Sequence, residues 1–270
     1  MKLVRTALTA GLAILSLAAL VWLFQRRLLY FPARTSEDVA RAEASKLGLS
    51  SWRIAGRFAG WRASLPATVK LRARALLLHG NAGDALDRTA YRAALARFGV
   101  EVVLLEYPGY GPRNGSPSER SLTRAALEAV DALAAEGPAP IWLIGESLGT
   151  GVAARVAALR PDLVRAVLLV TPYADLGAVA HLHFPIFPAF FLRDRFIPLR
   201  DLADFRRPVA MIVAGADEVV TAEEGRRLFA ALPGPKLFVE QPRATHNGLD
   251  LSPELPRWNE LVEFLGAGPG

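Results

Sequence analysis

The chain contains no cysteine. That excludes a disulfide framework, thiolate zinc sites, iron–sulfur ligation and a cysteine nucleophile, and it suits reducing and oxidising compartments alike. Histidine is scarce as well: His79, His181, His183 and His246 are the four present, so a mechanism that needs an imidazole must choose among them. Lys and Arg together number 32 against 26 Asp and Glu, a formal charge of +6, and nearly all of the cations are arginine. They are spread among apolar helical positions rather than gathered in a patch, which argues against a nucleic-acid partner and for a solvated, arginine-biased surface. Internal repeats and low-complexity segments are lacking. Charged residues make up 21% and hydrophobic residues 52% of the 270, so the chain is not disordered, and its length suffices for one sizeable α/β domain without a second.

One long apolar run is present. Residues 6–24 carry no charge, with Lys2 and Arg5 before them and Gln25, Arg26 and Arg27 after. The length predicts an N-terminal transmembrane helix and therefore a membrane partner. A cleaved signal peptide is the competing reading, since residues 16–18 offer a small-x-small site, but the apolar run continues past them. The side of the membrane on which the rest of the chain lies is left open: the count of flanking Lys and Arg favours one orientation, the export-like N-terminus the other. The expected organisation is a membrane anchor over residues 1–27, a polar connector over 28–51, one α/β domain over 52–265, and a frayed tail over 266–270.

Within that domain, apolar runs alternate with amphipathic ones, which predicts a mostly parallel central sheet with helices on both faces. Irregular leading strands fall within 52–65. Strands are expected at 73–78, 100–106, 141–144, 164–170, 208–214 and 236–239. Helices are expected at 85–98, 117–135, 147–159, 221–232 and 253–265, the second capped by Ser116 or Ser118. Between the strand at 164–170 and the one at 208–214 lies an irregular stretch rich in phenylalanine, read as a short aromatic cap over about 173–205.

Three motifs follow predicted strands. Gly145-Glu146-Ser147-Leu148-Gly149 sits at a strand-to-helix junction. A sharp turn there lifts a serine oxygen above the sheet edge, and glycines on both sides relieve the crowding. A serine hydroxyl needs a base, and His246, in a loop just after the last predicted strand, is the candidate. The imidazole needs an acid to fix its tautomer. Asp217 follows the strand at 208–214, with Glu218 as the adjacent alternative, whereas Asp194, Asp201 and Asp204 are expected to be solvent-exposed in the cap. Acyl transfer also needs N–H donors for an oxyanion. The backbones of Leu148 and of Asn81, in the His79-Gly80-Asn81-Ala82-Gly83 turn, are the candidates, with His79 as a brace of that loop. Tyr110, Phe187 and Phe191 are candidate substrate-binding residues. His181 and His183, two apart on a predicted helix, face opposite ways and lack a carboxylate at metal spacing, so they are not read as a metal site, and a serine, histidine and acid mechanism requires neither metal nor organic cofactor.

The HGNAG loop, the EYPGYG turn with GSPSE after it, GESLGTG, GADE and ATHN resemble, in that order, the α/β-hydrolase superfamily. The N-terminal span followed by RRLLYFP looks like its membrane-anchored branch, which is similar to depalmitoylating thioesterases and to serine-peptidase-like hydrolases. The resemblance implies an α/β-hydrolase fold and a Ser147, Asp217, His246 triad. Val220-Thr221 and Pro108 depart from what relatives often carry at those places, which loosens the placement within the superfamily. The expectation is a membrane-anchored serine hydrolase that cleaves a small-molecule acyl ester or thioester through an acyl-enzyme. The alternatives are a serine peptidase or amidase with the same triad, and a non-catalytic membrane-tethered binding scaffold.

Overall fold

A computed structural model describes residues 2–186 and 188–267. Phe187, one of the expected pocket residues, and residues 268–270 of the expected tail lie outside the described residues. The chain opens with helix α1 (Lys2–Leu29), a short strand β1 (Phe31–Pro32) and α2 (Glu37–Lys46). The strands β2 (Ser50–Ile54), β3 (Arg57–Arg62), β4 (Ala73–Leu78) and β5 (Ala82–Gly83) follow, then α3 (Thr89–Ala96), β6 (Val100–Leu105) and α4 (Glu119–Ala135). The second half contains β7 (Ile141–Glu146), α5 (Leu148–Leu159), β8 (Val164–Val170), α6 (Leu176–His183) and α7 (Pro198–Asp201). It closes with β9 (Val209–Ala214), α8 (Ala222–Ala231), β10 (Lys236–Gln241) and α9 (Arg257–Gly266).

Eight of the strands form one sheet in the order β10-β9-β8-β7-β4-β6-β3-β2. The pairs from β10 to β6 are parallel, and β3 joins β6 and β2 antiparallel. A parallel sheet is covered on both faces, so its strands read as nearly continuous apolar runs: every residue of β4, β6 and β9 is buried, and all are apolar but the charged Arg74 of β4 and Glu101 of β6. Successive side chains still alternate between two cores. Leu76, Leu78, Val103 and Leu105 join α4 and α5 on one face, while Ala75, Leu77, Val102 and Leu104 join α3 and α9 on the other. Leu122, Ala126, Ala129, Val130 and Leu133 of α4 fall at helical spacing and face the first core. Ser118 is the residue that caps this helix, its side chain accepting from the Ser121 N–H. The order of strands reverses around β4, flanked by β6 and β7, and the crevice at the carboxyl ends of such strands is where ligands bind in this architecture.

Three expectations change. The helix expected over 85–98 is split, because Asp84 and Asp87 form a capping box on a tight 3₁₀ turn, Ala85–Arg88, before α3 begins. The connector expected over 28–51 contains the buried Tyr30, β1 paired to β5, and the capped helix α2.

The third change concerns the anchor. Among the described residues, no helix is long and apolar enough to cross a membrane. The apolar run does form a helix, α1, but its last turns are occupied: Val21, Trp22, Gln25, Arg26, Leu28 and Leu29 line a cavity of the domain. Of the uncharged run, Val21 and Trp22 line that cavity, while Leu12, Leu17, Leu20, Leu23 and Phe24 are exposed. The expected transmembrane anchor is thereby corrected to a helix docked by its C-terminal end.

Candidate active site

The site is built at the carboxyl edge of β4, β7 and β9. Strand β7 ends at Glu146 and α5 starts at Leu148, which leaves Ser147 to make the whole turn at φ 51° and ψ −118°. A positive φ in a non-glycine residue is a strained state held by its surroundings. Glu146 supplies part of that hold: its carboxylate accepts from Arg88 Nε at 2.9 Å and from the Tyr91 hydroxyl at 2.9 Å. Burial pushes the Tyr91 phenol well above its usual range, so it stays a donor.

Close approach supplies the rest. A Cβ on Gly149 would overlap the Leu78 carbonyl oxygen and lie 2.7 Å from that of His79, and one on Gly145 would lie 2.6 Å from the Gly149 carbonyl. Because the intruding atoms are backbone, Gly149→Ala must push α5 away from β4. Overpacking of this kind costs about 1–3 kcal/mol. A lowered midpoint in urea denaturation of Gly149→Ala, with the slope unchanged, is the expected result; a midpoint equal to wild type would show that the gap closes without cost.

Ser147 Oγ lies 3.0 Å from His246 Nε2, and His246 Nδ1 lies 2.7 Å from Asp217 Oδ2. The residues are far apart in sequence and meet because the loops after β9 and β10 are laced together, Gly215 N–H to the Gln241 carbonyl and Ala216 N–H to the Ala244 carbonyl, each at 2.9 Å. The other oxygen of Asp217 accepts from the Val219 and Val220 N–H groups at 2.8 and 2.7 Å. These partners fix the imidazole tautomer. An ionised carboxylate only accepts, so Nδ1 carries the proton and Nε2 presents a lone pair to the serine hydroxyl. Glu218, the alternative acid, reaches the backbone N–H of His246 at 3.4 Å rather than its ring.

Leu148 and Asn81 both line the cavity that contains Ser147. Leu148 is the first residue of α5, so its N–H has no intrahelical acceptor. Asn81 is held from three sides: its carbonyl accepts from Phe31 N–H at 2.8 Å and from the Tyr110 hydroxyl at 2.7 Å, and its side chain donates to the Leu29 carbonyl at 3.0 Å. His79 is fully buried, its ring tilted against Tyr107 and edge-on to Tyr110, with Nδ1 donating to the Gly80 carbonyl.

The cavity measures about 440 Å³. Its walls are apolar side chains from α1, α6 and the cap, Phe191 among them. Among the described residues that line it, the Arg and Asp side chains are Arg26 and Asp194, and these two pair with each other. Tyr110, expected to bind substrate, does not line it. Its ring is fully buried and its hydroxyl is spent on the Asn81 loop, so its place is behind the site. Asp194 and Asp201, expected in solvent, are buried against Arg26 and Arg155, while Asp204 is exposed. His183 lines the cavity with Nε2 bonded to the Val219 carbonyl at 2.9 Å, and His181 points outward. Among the described residues, no cluster of three or more His, Asp or Glu is disposed to hold a metal ion.

A sharp serine turn at the edge of a mostly parallel sheet, with an acid and an imidazole brought from later loops, defines an α/β-hydrolase architecture. The chain belongs to that superfamily: residues 75–197 match the Alpha/beta hydrolase family. An uncharacterized protein of Mycobacterium tuberculosis is 34% identical over 246 residues, which cover 86% of this chain and 83% of the relative. The lysophosphatidylserine lipase ABHD12 of Macaca fascicularis is 32% identical over 221 residues, 71% of this chain but only 55% of that lipase. Among solved structures, the Pyrococcus furiosus esterase PF2001 superposes with a TM-score of 0.67 at 18% identity, covering 90% of this chain and 98% of the esterase, a likeness of fold. Family and relatives together support hydrolysis as the chemistry of the chain.

Proposed function

We infer that the protein is a serine hydrolase that cleaves a carboxylic ester or thioester of an apolar acyl chain through an acyl-enzyme. One observation carries the reading: the unbroken hydrogen-bonded chain Ser147 Oγ, His246, Asp217, whose serine lines an apolar cavity. Ser147 Oγ attacks the substrate carbonyl while its proton passes to His246 Nε2. Asp217 keeps Nδ1 protonated and stabilises the imidazolium that forms. The N–H groups of Leu148 and Asn81 receive the oxyanion. Collapse expels the alcohol or thiol, which takes the proton from His246. Water then repeats the sequence and frees the acid and Ser147.

The walls decide what kind of acyl group enters. Arg26 and Asp194 neutralise one another, and the remaining lining is overwhelmingly apolar, so a charged headgroup finds no unpaired partner among the described lining residues and an aliphatic chain does. The name of the ABHD12 relative supports a lipid ester, whose charged part would then lie outside this cavity.

A panel of monoacylglycerols, lysophospholipids and acyl thioesters, run beside aminoacyl anilides on the full chain, tests the reading. We expect an acyl ester or thioester to exceed the anilides by at least about 10²-fold in kcat/KM, because amide cleavage makes a heavier demand on leaving-group protonation. Anilides cleaved as fast as or faster than every ester would transfer the reading to a peptidase or amidase.

A further inference from the structure

Asp194 takes no part in the chain from serine to carboxylate, yet only 3% of its side chain is exposed. A buried carboxylate must be paired and hydrogen-bonded to persist, and among the described residues its side-chain partners, Arg26 and Tyr30, come from the N-terminal end of the protein. Arg26 donates to both of its oxygens, from Nε at 2.8 Å and from a terminal nitrogen at 2.9 Å, the fork-on-fork geometry that only arginine provides. The Tyr30 hydroxyl donates to the same carboxylate at 3.1 Å. Hydrogen bonding to Asp194 holds the Arg26 guanidinium above its usual range, and burial, with Asp194 second, does the same for the Tyr30 phenol, so both remain donors.

Gln25 adds a second grip one residue earlier. Its side-chain nitrogen donates to the Phe191 carbonyl at 3.2 Å and its oxygen accepts from the Arg193 N–H at 2.7 Å, as an added strand would. The Arg193 guanidinium in turn lies 4.7 Å over the Trp22 ring. Two adjacent helical residues thus clasp cap residues 191–194. Val21, Leu28 and Leu29, on the same turns of α1, line the cavity that contains Ser147, as do Leu176 and Val179 of α6.

We propose that α1 is the specificity wall of the acyl site, and that Asp194 is the positioning residue that sets how long an apolar chain the site accepts by clamping α1 against the cap. The inference rests on the ester reading above and refines it. A chain bound at Ser147 and extending through the cavity runs between α1 and α6. Its terminal methylenes meet α1, so a loosened clamp penalises long chains and spares short ones.

The test compares p-nitrophenyl butyrate with p-nitrophenyl dodecanoate on the full chain, in wild type, Asp194→Asn and Val21→Trp. Asp194→Asn keeps the shape of the side chain but removes its charge and one of the two oxygens that Arg26 grips. Val21→Trp leaves the clamp intact and fills the wall. In each variant the dodecanoate-to-butyrate ratio of kcat/KM falls at least tenfold, with the loss carried by KM for dodecanoate. A ratio within twofold of wild type in both variants, or equal losses on both chain lengths, overturns the proposal. The same substitutions in a Ser147→Ala background weaken binding of a fluorescent dodecanoate at least tenfold, with no chemistry involved. A wild type that hydrolyses neither ester speaks against the ester reading; unchanged dodecanoate binding in the Asp194→Asn pair speaks against the clamp.

Discussion

Ser147→Ala eliminates labelling by a fluorophosphonate and lowers ester turnover by on the order of 10⁴-fold or more, the scale on which removal of a nucleophile acts when its partners work as a unit. The probe transfers its phosphorus to a serine oxygen and expels fluoride, so without Oγ no adduct forms. The substitution isolates chemistry from folding. Alanine keeps the Cβ of serine, so the left-handed turn at φ 51° gains no strain, and the hydrogen bond lost is the one between Oγ and His246. Ser147→Ala should therefore unfold within about 1 kcal/mol of wild type, as expected of a change with no cavity or unpaired buried charge behind it. Undiminished labelling would place the nucleophile elsewhere and remove the reason for assigning roles to His246 and Asp217.

How much of this was legible in the sequence depends on the range of the interaction. Strands β4 and β8 fall on the expected residues because a strand buried on both faces writes its length directly as an apolar run. The serine turn was legible because strand, glycine, serine, glycine and helix are all local. Asp217 and His246 were legible through their position after strands, a property of topology rather than of neighbouring residues, and the structure brings them within bonding distance of each other and of Ser147.

The helix at the N-terminus was misread for the opposite reason. An uncharged run records that apolar side chains want cover, without naming the cover. Here part of that cover is the cap of the same protein, and the contacts that fix it, Arg26 and Tyr30 on Asp194 and Gln25 on residues 191 and 193, leave no local trace. Arg26 in particular has the appearance of a flanking charge. Tyr110 was misplaced similarly: its aromatic turn is local and legible, but which way the ring faces is decided by His79 and Asn81 from another strand end.

Asp217→Asn lowers kcat on a short-chain ester by about 10³- to 10⁴-fold while leaving the fold in place, as the loss of tautomer control predicts. The neighbours of Asp217 dictate this outcome. Two backbone donors, Val219 and Val220 N–H, converge on Oδ1 and can be satisfied only by an oxygen. An asparagine must therefore keep its carbonyl there and turn its NH₂ toward His246, 2.7 Å away in the wild type. Facing a donor, Nδ1 must accept. The ring proton then moves to Nε2, which loses the lone pair that would take the Ser147 proton. Glu218→Gln provides the contrast: its carboxylate accepts from the His246 backbone N–H at 3.4 Å and not from the ring, and the glutamine oxygen still accepts from it. That variant should lose less than about tenfold in kcat, since it leaves the tautomer unaltered. The reverse pattern, a mild Asp217→Asn and a crippled Glu218→Gln, would make Glu218 the acid and require the loop after β9 to turn over before reaction. Steady-state kinetics on a butyrate ester separates the two, because the expected losses differ by at least about a hundredfold.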